Sequence, residues 1–297
     1  MSSIYVFPGQ GAQAVGMGKD LYENNAEARA VFDEMDSTLG EKLSDIIFNG
    51  PIETLTLTAN VQPAILATSV AMFRAGNYQK PDYMAGHSLG EYTALCAADA
   101  ISLADAIKLV RLRGESMQNA VPAGQGAMAV ILGLEFDVLK AVCEKAEQET
   151  SGICDIANDN CPGQIVISGA TSAIETAMEL AKEAGAKRAM KLPLSVPPHS
   201  RLMEPVASIM REALNKIEIK TPIVPIISNK TCQPMTDVNE IKEALVYQIT
   251  HGVRWRESVI NMEQIGITDL TEIGPGNALT GMVNRITDKI TTHKLGE

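Results

Sequence analysis

The chain has 297 residues, of which 45% are hydrophobic and 21% charged, the balance of a globular protein with a large core and not of a disordered chain. Its net charge of −11 and pI near 5.0 argue against a nucleic-acid binder and leave any anionic ligand to be met by local basic residues. Five cysteines without a C-x-x-C pair, together with only four histidines, point to reduced thiols and no metal site.

In chain order, Ile4–Phe7 reads as a buried strand closed by the turn residues Pro8-Gly9-Gln10-Gly11. That apolar start is too short for a signal peptide and no stretch approaches a membrane span, so a cytoplasmic protein is expected. Helical patterns cover 21–39 and 62–75, and a short strand at 83–85 leads into Gly86-His87-Ser88-Leu89-Gly90-Glu91 and an alanine-rich helix. Ser102, with Asp105 three residues on, caps a helix reaching Asn119. The next segment reads as strand 128–132, helix 136–149, strand 153–157, a turn at 158–163, strand 164–168, helix 171–184 and strand 188–192. That β-α-β-β-α-β order is ferredoxin-like. Beyond Pro193 follow helix 202–217, strand 223–228, helices 238–249 and 255–265, strand 270–273 and a last helix from Ala278. The expected fold is α/β: an α/β-hydrolase-like core with a mostly parallel sheet, built from residues 1–124 and 195–297, and an inserted ferredoxin-like subdomain at 125–194.

Gly86-x-Ser88-x-Gly90 has the spacing of a nucleophile elbow, in which a serine sits on a sharp strand-to-helix turn. A Cβ at either glycine would collide where strand and helix pass closely. Taken alone, three fixed positions in five recur by chance, so a base, an oxyanion site and a substrate handle must be found elsewhere. Among the histidines, His87 is too close to Ser88 to face it, His251 follows a helix end and His293 lies among polar residues near the C-terminus. His199 sits in Pro197-Pro198-His199-Ser200, where the prolines stiffen the loop around a ring that must hold one orientation; a purely structural loop histidine is the other reading. Arg113 lies on the inner side of its helix, and no acid stands among its helical neighbours, whereas Glu115 can pair with Arg111. An inward guanidinium without a partner is costly, so either a carboxylate from elsewhere in the fold or a substrate carboxylate should meet it. Leu89 is placed to offer its N–H to an oxyanion, with the Gly9-Gln10-Gly11 loop a candidate second donor. Read as a dinucleotide fingerprint, that loop fails on Gly16 and Gly18, which interrupt the helix that should follow.

These motifs, in this order, resemble the malonyl-CoA:acyl carrier protein transacylase family: Phe7-Pro8-Gly9-Gln10-Gly11, the Ser88 elbow, Arg113-Gly114, Asn158–Gln164, Pro197-Pro198-His199-Ser200, Gln248 and Glu272-Ile273-Gly274-Pro275-Gly276. The resemblance covers nearly the whole chain. It implies a ping-pong transfer from malonyl-CoA to acyl carrier protein, with Ser88 as nucleophile and His199 as base. It further implies an oxyanion hole from the N–H groups of Gln10 and Leu89, and Arg113 as clamp on the malonyl carboxylate. Gln248 would orient His199 through a main-chain carbonyl, and Asn160 would belong to the cleft wall. No cofactor, metal, nucleic acid or membrane is expected. Pro198 departs from the bulkier or hydroxyl residue usual there, which leaves tolerance for acetyl or methylmalonyl groups open. Lys182, Lys187, Arg188, Lys191 and Arg201 are basic positions that would suit an acidic carrier, or simply face solvent. The carrier would serve fatty-acid or polyketide synthesis. A serine hydrolase on the same core and a non-catalytic carrier-docking module are the competing readings.

Overall fold

The computed structural model describes residues 2–76, 78–194 and 196–294; residue 195, where the second core segment is expected to resume, lies outside them. The first part of the chain forms β1 (Ser2–Phe7), α1 (Lys19–Asn24), α2 (Ala26–Leu39), α3 (Leu43–Asn49), α4 (Ile52–Thr56), α5 (Thr58–Ala75), β2 (Tyr83–Gly86), α6 (Leu89–Ala97) and α7 (Leu103–Ala120). The middle part forms β3 (Gly126–Leu132), α8 (Phe136–Thr150), β4 (Cys154–Cys161), β5 (Gln164–Ala170), α9 (Thr171–Glu183) and β6 (Arg188–Lys191). The last part forms α10 (Glu204–Asn215), β7 (Ile226–Ile227), β8 (Pro234–Met235), α11 (Val238–Thr250), α12 (Trp255–Gln264), β9 (Ile267–Glu272), α13 (Ala278–Ile286) and β10 (Thr291–Lys294).

Two sheets organise these elements. The larger runs β10-β9-β1-β2-β7-β8 and is parallel except where β8 turns back on β7. Strand alternation sorts its side chains between two layers. Ile4, Val6, Ala85 and Ile227 face the small layer around Trp255, Val259 and Val283 of α12 and α13. Phe7 and Met84 face the thick layer of α2, α5, α6, α7, α10 and α11. The smaller sheet, β4-β5-β3-β6, is antiparallel throughout. It packs Ala129, Ile131, Ile165 and Ile167 under α8 and α9, while Met128, Val166 and Leu192 form a patch on the opposite face. The βαββαβ order and this strand order give the expected ferredoxin-like arrangement.

Several details differ from expectation. The 21–39 helix breaks at Asn25, whose side chain caps α2 by accepting from Ala28 N–H. The 62–75 helix begins at Thr58, and Pro63 lies inside it as the sixth residue, where it offers no N–H to the carbonyl of Ala59 four residues back. Residues 158–161 are strand, not turn, although the register shifts on either side of Asn158 and Asp159. Tertiary bonds override their turn chemistry: Val253 N donates to Ala157 O at 2.8 Å, Asp159 N to Val253 O at 3.0 Å, and Arg256 pairs with Asp159 at 2.8 Å. Arg111 bonds Asn60 and Glu41, not Glu115.

Candidate active site

The elbow is built as its glycines require. A Cβ on Gly86 would stand 1.9 Å from the Gly90 carbonyl carbon, and one on Gly90 would stand 2.1 Å from Phe7 O. Ser88 takes φ 52° and ψ −106°, a backbone conformation that persists only when its surroundings enforce it. Asn229 enforces it here, accepting from Ser88 N at 2.9 Å and donating from Nδ2 to Gly86 O at 2.7 Å.

His199 comes from the stiffened loop before α10 and is 3% exposed. Its Nδ1 lies 2.6 Å from Gln248 O and 3.2 Å from His251 O. Carbonyl oxygens only accept, so Nδ1 carries the proton and Nε2 is left as the acceptor. That Nε2 stands 2.7 Å from Ser88 Oγ. Burial first, and the Arg113 charge second, push the His199 pKa down to about 3, which keeps the ring neutral and Nε2 free to accept.

Arg113 projects from α7 and is 2% exposed. Gly114 beside it lets α7 approach α5 so closely that a Cβ there would sit 2.4 Å from Thr58 O, and this brings Gln62 alongside. The guanidinium donates from Nη1 to Gln62 Oε1 at 2.7 Å, and from Nη2 to Gln248 Oε1 at 3.0 Å and Ser88 Oγ at 3.1 Å. All three partners are neutral, Tyr92 presents its ring face at 5.7 Å, and Nε is buried without a partner. Among the described residues no acid pairs with Arg113. Glu91 makes no bond to it but lies near enough for the two charges to act on each other. The hydrogen-bonded link between them is Gln248, whose Nε2 donates to Glu91 Oε2 at 2.5 Å.

These groups line a cavity of about 360 Å³, with Gln10, Leu89, Asn160 and Pro198 in its wall and Met128, Val166 and Leu192 of the small sheet as its apolar side. No hydrogen bond among the described residues uses the N–H of Gln10 or Leu89, so both donors remain available to an oxyanion. Asn160 Oδ1 meets His87 Nε2 at 3.0 Å, tying β4 to the elbow, and His87 packs against Trp255. His251 and His293 are exposed, and His251 contributes a carbonyl, not its ring. A larger groove of about 740 Å³ between α10 and α11 holds neither Ser88 nor Arg113.

Of the basic positions, Lys182 pairs with Glu179, Lys191 with Glu175, and Arg201 with Glu147 and Asp155; Lys187 and Arg188 carry no ion pair among the described residues. Sequence reasoning missed Gln62, Glu91 and Asn229. Glu91 stood in the motif and was read only as the start of a helix, whereas nothing local marks Asn229 or Gln62.

The profile of the acyl transferase domain family matches residues 4–290. A malonyl CoA-acyl carrier protein transacylase of Bacillus subtilis (strain 168) is 50% identical over 295 residues, covering 98% of this chain and 93% of its own length. The crystal structure of an acyl-carrier-protein-S-malonyltransferase from Bartonella henselae superposes with a TM-score of 0.97 at 48% identity, covering 100% of this chain and 96% of that one. A malonyl-transacylase solved in complex with its type II PKS acyl-carrier protein superposes at 0.96, with 41% identity, over 99% of this chain and 96% of that one.

Proposed function

The chain belongs to the acyl transferase domain family, and from that premise we propose that it transfers the malonyl group of malonyl-CoA to the phosphopantetheine thiol of an acyl carrier protein. Ser88 Oγ attacks the thioester carbonyl while its proton passes to His199 Nε2, 2.7 Å away. The oxyanion is met by the Gln10 and Leu89 N–H groups. The intermediate collapses, the CoA thiolate takes the proton from His199 and leaves, and the malonyl ester stays on Ser88. The carrier's thiol then repeats the sequence in reverse, giving its proton to His199 and restoring the serine hydroxyl. The malonyl carboxylate is received by Arg113, and Asn160 and Pro198 belong to the wall against which the acyl group lies.

The observation that carries this reading is the state of Arg113: a buried guanidinium, 3.1 Å from the nucleophile, with neutral partners and a free Nε. A buried cation left so is costly, and an incoming carboxylate supplies the missing charge and acceptor. A hydrolase would have little need of this group, and the His199 ring faces two carbonyls where a hydrolase triad has an acid.

Each step uses side chains and N–H groups of the chain itself, so the reading requires no resident cofactor or metal. It divides the chain into a core of 1–124 and 195–297 and a subdomain of 125–194, with the acyl group held between them. We place the enzyme in fatty-acid synthesis in the cytoplasm. No helix among the described residues is long and apolar enough to cross a membrane, and the five cysteines are buried and free. A polyketide carrier is the second reading, favoured by the relative solved with such a carrier.

Incubation with malonyl-CoA, followed by intact mass and peptide mapping, tests the reaction. The expected result is a malonyl ester on Ser88 that survives in water and is discharged by holo-carrier protein. Release of CoA to water without an adduct supports the hydrolase instead. Carrier binding unaffected by Ser88→Ala, with no transfer by the parent, supports a docking module.

A further inference from the structure

The acyl-transfer steps leave Glu91 without a task. Its carboxylate is fully buried at the third position of α6, where a glutamate ordinarily reaches back to cap its own helix. Here it reaches across the site instead. Oε1 accepts from the main-chain N–H of Asn229 at 2.9 Å, and Oε2 accepts from Gln248 Nε2 at 2.5 Å. The other atom of that amide, Gln248 Oε1, accepts from Arg113 Nη2 at 3.0 Å. Burial pushes the Glu91 pKa up to about 7, against the pull of the Asn229 and Gln248 bonds and the Arg113 charge. Once ionised the carboxylate only accepts, and a guanidinium only donates, so an amide lying between the two then has a single orientation.

We propose that Glu91 is a positioning residue for acyl-group selection: it turns the Gln248 carbonyl oxygen towards Arg113 and so holds the guanidinium where the free carboxylate of the malonyl group arrives. This rests on the reading of Arg113 given above. The chain Glu91–Gln248–Arg113 is distinct from the link that orients the base, because His199 is held by the main-chain oxygen of Gln248, which does not depend on how the amide is turned.

The isosteric variant Glu91→Gln separates this role from a merely structural one. The Asn229 N–H belongs to the backbone and cannot reverse, so the new amide must give its oxygen to Asn229 and its NH2 to Gln248. Gln248 must then turn its own oxygen to position 91 and its NH2 to Arg113, donor against donor. The guanidinium loses an acceptor and shifts, and Ser88 gives up the 3.3 Å bond from Gln248 Nε2 to its carbonyl. The Ser88 Oγ–His199 pair and the Gln248 main-chain oxygen that orients it are kept. Transfer of an acetyl group, which offers no carboxylate, is then spared.

The test is kcat/KM for acylation of Ser88 by malonyl-CoA and by acetyl-CoA in the parent, Glu91→Gln, Gln248→Met and the double variant. In Glu91→Gln the malonyl-to-acetyl ratio is expected to fall about tenfold or more, the usual consequence of losing a hydrogen bond to a charged group, through a raised KM for malonyl-CoA. The acetyl value is expected to stay within about twofold of the parent. Gln248→Met is expected to lose a similar factor, and the double variant no more than the larger single effect, because both act on one chain of contacts. An unchanged ratio in Glu91→Gln overturns the proposal, as do single effects that multiply in the double variant. Should Glu91→Gln fail to fold, an unchanged ratio in Gln248→Met overturns it equally. A parent that does not distinguish malonyl from acetyl overturns the reading of Arg113 and this proposal together, whereas a discriminating parent with an unaltered Glu91→Gln removes this proposal alone.

Discussion

His199 can act as a base only while its ring is unprotonated, and its surroundings see to that. Burial and the Arg113 charge hold its pKa at about 3 against an ordinary 6.5. Between those values the unfolded chain binds a proton that the folded chain refuses. This group therefore contributes stability that is present above pH 6.5 and lost as the pH falls towards 3. The direct check is the Cε1–H resonance of His199, which is expected to stay at its neutral position from pH 8 down to pH 5; a titration centred near 6.5 would contradict the geometry. At this scale the sequence disclosed Ser88, Arg113 and His199, because a motif, a helix face and a proline-flanked loop each leave a local mark. The partner of His199 is a main-chain carbonyl, which no residue type encodes, so Gln248 was reached only through the family resemblance. Gln62, Glu91 and Asn229 act by long-range contacts, 51 to 157 positions along the chain from the groups they hold, and no local pattern points to them.

Two helices offer a matched test of why the elbow carries its glycines. Gly90 lies in the first turn of α6 with no room for a methyl, its Cβ site lying 2.1 Å from Phe7 O. Gly281 sits inside α13 with nothing within 4 Å of its own Cβ site. Gly90→Ala is expected to cost about 3 kcal/mol or more, since strand, turn and helix must all shift. Gly281→Ala is expected to stabilise by about 0.5–1 kcal/mol, the ordinary helix propensity difference. Chemical denaturation of both variants checks this, and equal effects would remove the steric account of the elbow. Long periodic helices such as α7 and α8 were legible from spacing alone. The short α3 and α4 between Gly40 and Thr58, and the brief edge strands β8 and β10, were not, because a few residues carry too little periodicity to register. The β4 extension through Asn158–Cys161 was hidden for a different reason. Its composition is that of a turn, and pairing with β5, braced by bonds to Val253, Arg256 and His87, draws it into a strand.

The molecule as a whole is acidic, with a net charge of −11, so its general field does nothing to attract an anionic substrate. Recognition of a malonyl carboxylate must come from inside the cleft, where the small sheet supplies an apolar side and the core supplies the reacting groups. The fold class and the order of the two parts were legible from the alternation of strands and helices. The closeness of Ser88 to His199, 111 positions apart, was not, since it depends on the packing of α10 against α7 and α11. The central claim is that one guanidinium, with no acid of its own, selects the acyl group. It is tested most directly by mass spectrometric measurement of Ser88 ester formation from malonyl-CoA and acetyl-CoA in the parent and in Arg113→Lys. A lysine keeps the charge but lacks the two-pronged geometry, so the folded variant is expected to lose about tenfold or more of the malonyl-to-acetyl preference. A variant that prefers malonyl as strongly as the parent would contradict the account.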